Sequence, residues 1–248
     1  MIRTFDIFIL LCLSFVFANG QHDHTVNVAV YYESLCSDSI AFVTKQLYPA
    51  LQKPEISKHV NLTLHVNLTL VPYGKSTTNK NNPNDIKFTC HHGEIECKGN
   101  KIHACALSKL LPEKDGSKIA LDFINCLLAR VKNESEKTNF PVQEQECADS
   151  EHVTKRNEIE ACANSEIEAC ANSQEGSIAL DGYGQKTKRV QDALDSVPTI
   201  VFNDKFNADD SKEAYGNFLA ALCKRIDHDK PEECQKAGAG DLTKPLEN

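Results

Sequence analysis

The sequence has no excess of positive charge: 27 lysines and arginines stand against 35 aspartates and glutamates, a formal net charge of −8. Counterion release from a nucleic acid and attraction to an anionic membrane both need a basic surface, so neither partner is favoured. The chain also lacks an apolar run of the roughly 20 residues that a membrane-spanning helix needs. Its longest, Ile7 to Phe17, is almost wholly apolar but has only eleven residues. No Ser-His-Asp set, phosphate-binding loop or paired-carboxylate motif stands out. The usual marks of acyl transfer, nucleotide binding and glycoside hydrolysis are thus missing.

Cysteine, by contrast, is plentiful, with eleven residues. Arg3, the Ile7–Phe17 run and Ala18-Asn19-Gly20 have the charged, apolar and small-residue order of a secretory signal peptide. Residues 1–20 are therefore expected to be removed, leaving a mature chain from Gln21 with ten cysteines. Three sequons, at Asn61, Asn67 and Asn133, are glycosylation candidates and fit the same route. In an oxidising compartment most of the ten thiols are expected to pair. The expected location is the secretory pathway, either secreted or lysosomal.

Two segments are duplicated in tandem. HVNLTL at His59–Leu64 is repeated at His65–Leu70, and EIEACANS at Glu158–Ser165 is repeated at Glu166–Ser173. The first alternates apolar and polar residues as a strand does. Its even length keeps every side chain on its original face. Eight residues added to a helix would turn it by about 800°, a net rotation of roughly 80°. The second duplication is therefore expected in a loop or at a helix end.

Periodicity predicts a strand at Val26–Tyr32 and a helix at Ser37–Leu51 with Ile40, Val43, Leu47 and Leu51 on one face. A strand at Val60–Val71 and a mostly helical, cysteine-rich stretch from about Asp85 to Gly184 follow. A short strand at Thr199–Asn203 and a helix at Asp210–Ile226 come next. Tyr215, Phe218, Leu219, Leu222 and Ile226 form that helix's inward face, and a mobile tail spans 237–248.

The segment VAVYYESLCSDS, Val28 to Ser39, sends a strand into Cys36 at the first turn of a helix. Unpaired N–H groups there favour negative charge, and a thiolate is the nucleophile of disulfide exchange. A structural half-cystine would have the same sequence setting. In thioredoxin-like folds a cis-proline stands before a late strand, beside the active cysteine; Pro198, in Ser196-Val197-Pro198-Thr199, occupies that place here.

The run Cys90-His91-His92-Gly93-Glu94-Ile95-Glu96-Cys97, with Asn100 and Cys105, resembles a family signature. The family is that of gamma-interferon-inducible lysosomal thiol reductase (GILT), whose signature reads C-Q-H-G-x-x-E-C-x-x-N-x-x-x-x-C. Every signature position matches except His91, which replaces glutamine. The likeness runs from YYESLC through LTLVPYGK and IEACANSQEG to VPTIVFND and the closing Cys223 and Cys234. It implies an α/β, thioredoxin-like fold over 21–236 with a disulfide-rich, mostly helical insertion, and reduction of protein disulfides at acidic pH. It also implies pairing among Cys90, Cys97, Cys105, Cys126, Cys147, Cys170, Cys223 and Cys234. Cys36 and one of the duplicated pair Cys162 and Cys170 are then left over, with Cys170 the copy in line with the downstream family pattern. The two are free, capped by small thiols or joined between chains as a covalent dimer, and spacing does not give the connectivity.

The chain departs from the family at C-x-x-C, which here is Cys36-Ser37-Asp38-Ser39. Serine cannot make the second attack that releases a mixed disulfide. Two functions fit. One is a single-nucleophile oxidoreductase with catalytic positions Cys36, Ser39 and Pro198. It would act on disulfide-containing proteins and use an external thiol, glutathione or cysteine, as reductant. The other is a catalytically impaired secreted protein that binds another surface protein. No bound cofactor or metal is expected: the gaps among Cys90, Cys97 and Cys105 are wider than zinc sites favour. His92 packs against a disulfide loop or tunes the region's acid response. Glu33 reads equally as a solvated charge or a proton carrier.

Overall fold

The structure, a computed structural model, describes residues 25–53, 56, 66–82, 85–131, 147, 166–191, 194–227 and 230–239. The leader, the first copies of both duplications, Asn61, Asn133 and Cys162 lie outside these residues.

Strand β1, Val26–Tyr32, is the middle of a three-stranded sheet. β2, Val66–Pro72, runs parallel to it, from Val26 opposite Val66 to Tyr32 opposite Pro72. β5, Thr199–Phe202, runs antiparallel on the other side, pairing Val28 with Phe202 and Tyr31 with Thr199. The second HVNLTL copy thus forms most of β2, with Val66 and Leu70 buried and Asn67 exposed. A central strand must bury both faces. Val26, Val28, Val30 and Tyr32 enter the main core, while Tyr31 enters a second cluster with Cys36, Val71, Val197 and Val201.

The helix after Cys36 is α1, Ser37–Phe42, a π segment, Val43–Leu47, and α2, Tyr48–Leu51. Pro49 has no N–H for the carbonyl four residues back, and its ring crowds that carbonyl. The helix accommodates it by widening, so that Tyr48 N–H reaches the Val43 carbonyl. Val43, Leu47 and Leu51 are buried on the expected face, and Ile40 is partly buried.

A short antiparallel pair, β3 (Thr77–Asn79) and β4 (Lys87–Thr89), leads into α3 (Glu94–Leu110) and α4 (Gly116–Arg130). The helical stretch therefore begins at Glu94 rather than near Asp85. It extends through α5, Gln174–Val190, beyond Gly184. The second EIEACANS copy is helical over 166–171 and ends as Ser173 caps α5, accepting from Glu175 N–H. α3 packs between α5 and α4 and also touches β2.

The expected helix at Asp210–Ile226 is two: α6, Ala208–Gly216, and α7, Phe218–Cys223. Asn217 (φ −153°, ψ 90°) leaves helical conformation, and its side chain caps α7 by accepting from Ala220 N–H. Phe218, Leu222 and Ile226 remain in the core, with Tyr215 and Leu219 at its margin. A further helix, α8, spans Glu232–Ala239, so Ala237–Ala239 are helical rather than tail.

Among the described residues four disulfides join Cys90–Cys97, Cys105–Cys170, Cys126–Cys147 and Cys223–Cys234. Cys105–Cys170 fastens α3 to the second EIEACANS copy across a separation of 65 residues. Chain entropy for a loop of this size is worth about 4 kcal/mol. A Cys105→Ala/Cys170→Ala double variant is expected to lose about that much stability in denaturant unfolding. An unchanged midpoint would mean that the cross-link constrains little.

Candidate active site

Cys36 closes the loop between β1 and α1 in extended conformation (φ −70°, ψ 123°), and the helix starts at the next residue. It is the free cysteine among the described residues. Its side chain is buried, 8% exposed, with Sγ 3.8 Å from the carbonyl oxygen of Val197. The Val197–Pro198 peptide bond is cis, and β5 begins at Thr199. The fold thus brings Cys36 and Pro198 together from positions more than 160 residues apart.

Ser39, one helical turn after Cys36, is fully buried. Its Oγ accepts from Glu33 N–H at 3.3 Å, so the hydroxyl serves the loop that carries the cysteine. Beside Cys36 a groove is lined by Asp38, Val197, Pro198, Thr199, Phe206 and Tyr215. Among the described residues Phe206 is one of the few exposed large apolar side chains, and Tyr215 OH donates to Asp38 at 3.2 Å. Burial first, then the Asp38 carboxylate, pushes the Tyr215 hydroxyl above its ordinary pKa.

The signature run lies behind the cysteine loop. The Cys90–Cys97 bond closes a turn in which Gly93 adopts φ 84°, ψ −168°, a conformation effectively reserved for glycine. Glu96, in the first turn of α3, accepts from His92 N–H at 3.1 Å and meets His92 Nδ1 at 2.6 Å. Asn100 Oδ1 accepts from Ser34 N–H at 2.9 Å, and Ser34 Oγ donates to the Glu96 carbonyl at 3.3 Å. Glu96, Asn100 and Ser34 are all buried. The signature therefore holds residues 33 and 34, and through them Cys36, from below. Periodicity could not reveal this, because the partners are 62 and 66 residues apart.

Glu33 is fully buried and so is not a solvated charge. Its Oε1 accepts from Lys75 N–H at 2.8 Å, and its Oε2 lies 3.3 Å from His91 Nδ1 and 3.4 Å from His92 Nδ1. Gly74 (φ 57°) makes the close approach possible, since a Cβ there would fall 2.2 Å from Glu33 Cγ. Burial, then the charge of Glu33, raises the Glu96 carboxyl above its usual range, against a lowering by His92.

Tyr32 and Tyr31 are both buried, and Tyr32 OH is 2.9 Å from His103 Nδ1. Desolvation depresses His103 to a pKa of about 3. In the unfolded chain a histidine takes up its proton near pH 6.5, so acid favours unfolding below that point and down to the folded value. From pH 7 to pH 5 the wild type is expected to lose about 2 kcal/mol more stability than His103→Gln. Parallel unfolding curves at the two pH values would contradict this.

Asn67 is exposed on β2, where its Nδ2 donates to Asn27 Oδ1 at 2.9 Å. Cys90, Cys97 and Cys105 are consumed in disulfides, so a thiolate metal cluster does not form from them. Among the described residues no helix is long and apolar enough to cross a membrane.

A sheet with β1 central, a cysteine at the following helix and a cis-proline leading the neighbouring strand define a thioredoxin-like protein of the thiol–disulfide class. The fold is similar to that of a solved Chlamydia trachomatis DsbA, with a TM-score of 0.51 at 14% identity over 82% of this chain and 88% of that one. The family model described as gamma interferon inducible lysosomal thiol reductase (GILT) matches residues 27–151. The chain is 36% identical to GILT-like protein 1 of Drosophila melanogaster, over 92% of this chain and 86% of the relative. It is 39% identical to a gamma-interferon-inducible lysosomal thiol reductase-like protein of Anopheles gambiae, over 91% and 86%. The chain belongs to the GILT family, and its general class is thiol oxidoreductase.

Proposed function

We propose that this chain is a single-nucleophile thiol–disulfide oxidoreductase acting on protein disulfides, with Cys36 attacking and an external thiol completing the cycle. The observation that carries this reading is the pairing of a free Cys36 at a helix start, beside Val197 and Pro198, with a hydroxyl at Ser39. In the first step the Cys36 thiolate attacks one sulfur of the substrate disulfide. That bond breaks, a Cys36–substrate disulfide forms, and the departing sulfur takes a proton. An external thiol, glutathione or cysteine, then releases the second substrate thiol, and another regenerates Cys36. One substrate disulfide is reduced as two external thiols are oxidised to one disulfide.

Ser39 cannot supply the resolving thiol, and its hydroxyl is engaged by Glu33 N–H. The groove along Val197, Pro198 and Phe206 offers an apolar bed for an extended substrate next to Cys36. The leader-like N-terminus and the sequons support action in the secretory pathway, secreted or lysosomal. The test is reduction of a disulfide-bonded protein by excess glutathione, with wild type against Cys36→Ala. Turnover by wild type alone supports the reading, and two equally inert proteins refute it.

A second reading, binding without catalysis, is favoured by the 8% exposure of Cys36. It requires biological activity to survive Cys36→Ala undiminished.

A further inference from the structure

We propose that Glu33, His91 and His92 form a site for a divalent transition-metal ion, with zinc the best fit, directly behind the cysteine loop. Glu33 Oε2 stands 3.3 Å from His91 Nδ1 and 3.4 Å from His92 Nδ1. Bonds of about 2.0–2.1 Å in a tetrahedral site put neighbouring donors about 3.3–3.4 Å apart. The three donor atoms all lie within 4.8 Å of one another. Two imidazoles and one carboxylate are a donor set that zinc accepts, with a fourth position left for water or another ligand.

The donors are held before any ion arrives. Lys75 N–H fixes Glu33 Oε1, and Gly74 leaves room for the side chain, so Oε2 points at the histidines. The Cys90–Cys97 disulfide and the Gly93 turn hold the two imidazoles side by side, ring centres 4.6 Å apart. Glu96 Oε2, 2.6 Å from His92 Nδ1, is a second carboxylate within reach. Both glutamates are fully buried, and among the described residues their ion-pair partners are these two histidines alone. Two buried carboxylates side by side are neutralised by a proton held between them or by a compensating cation. The histidine side chains are 52% and 32% exposed, which gives an ion a way in.

His91 stands where the family signature has glutamine, so the second imidazole is an addition to that signature. An ion would tie the signature turn to Glu33, whose N–H already holds Ser39 Oγ.

The test uses the folded, disulfide-bonded mature protein and zinc at neutral pH, in competition with a chromophoric chelator. Wild type and Cys36→Ala are expected to take up one equivalent with the same affinity. His91→Gln, an exposed change to the family residue, is expected to bind at least about ten-fold more weakly. Cobalt(II) in place of zinc should give visible d–d bands without thiolate charge-transfer absorption. Absence of saturable uptake by wild type, wild-type affinity in His91→Gln, or loss of binding in Cys36→Ala would each overturn the site. The Cys36→Ala arm separates this proposal from the redox reading, since zinc uptake does not depend on the thiol.

Discussion

Ser39→Cys is expected to make product release independent of external thiol and to speed that release at low glutathione by about 100-fold or more. It leaves an internal disulfide between Cys36 and position 39 that external thiol must reduce before the next turnover. The wild-type mixed disulfide waits for a collision, so its release scales with glutathione concentration. A thiol at position 39 would sit one helical turn from Cys36. Even an effective concentration of only about 0.1 M, far below the upper range for well-oriented groups, exceeds about 1 mM glutathione by two orders of magnitude. The exchange is small in volume and falls at a buried position whose hydroxyl makes one 3.3 Å contact with Glu33 N–H. A modest stability cost is expected and no change of fold. Single-turnover release at several glutathione concentrations is the measurement, with a flat dependence expected for the variant and a proportional one for wild type. A proportional dependence in both would mean that the loop does not bring residue 39 to the mixed disulfide.

Cys36→Ala is expected to reduce catalysed disulfide exchange to the rate of glutathione alone. Among the described residues Cys36 is the free thiol, and the other eight cysteines are in disulfides. Ser34 and Ser39 are buried hydroxyls engaged with Glu96 and Glu33, and neither can replace a thiolate as a sulfur nucleophile. Removing Sγ gives up only a weak contact to the Val197 carbonyl, so folding should be preserved. Initial rates at saturating glutathione, with circular dichroism as the folding control, measure the effect. Residual catalysis above the glutathione background would identify another nucleophile.

The sequence announced the strands through period-two alternation because β1 and β2 bury Val26, Val28, Val30, Val66 and Leu70 in the main core. The second HVNLTL copy follows this rule, with Val66 and Leu70 buried and Asn67 exposed, while the first copy lies outside the described residues. Helix regularity was harder to foresee. Pro49 did not end its helix but widened it, and Asn217 split what periodicity drew as one segment. Both outcomes turn on one residue inside the pattern, a proline without an N–H and an asparagine whose side chain caps the next helix, and apolar periodicity registers neither.

The site divides in the same way. Cys36 and Ser39 were legible because they are neighbours in sequence, and the partnership of Cys36 with Pro198 came through resemblance. The burial of Glu33 was not legible. It follows from Gly74, Lys75, His91 and His92, contacts that span more than 40 residues. The spacing of Cys90, Cys97 and Cys105 argued against zinc on sulfur. It carried no information about two histidines converging on a glutamate from another element.

The measurement closest to the central claim is intact mass spectrometry of the protein after brief incubation with a disulfide-linked peptide. A stable one-to-one adduct on Cys36 is predicted, persisting without external thiol, released by glutathione, and absent from Cys36→Ala. An adduct that clears at the same rate with no glutathione present, or no adduct at all, would contradict attack by Cys36 without internal release.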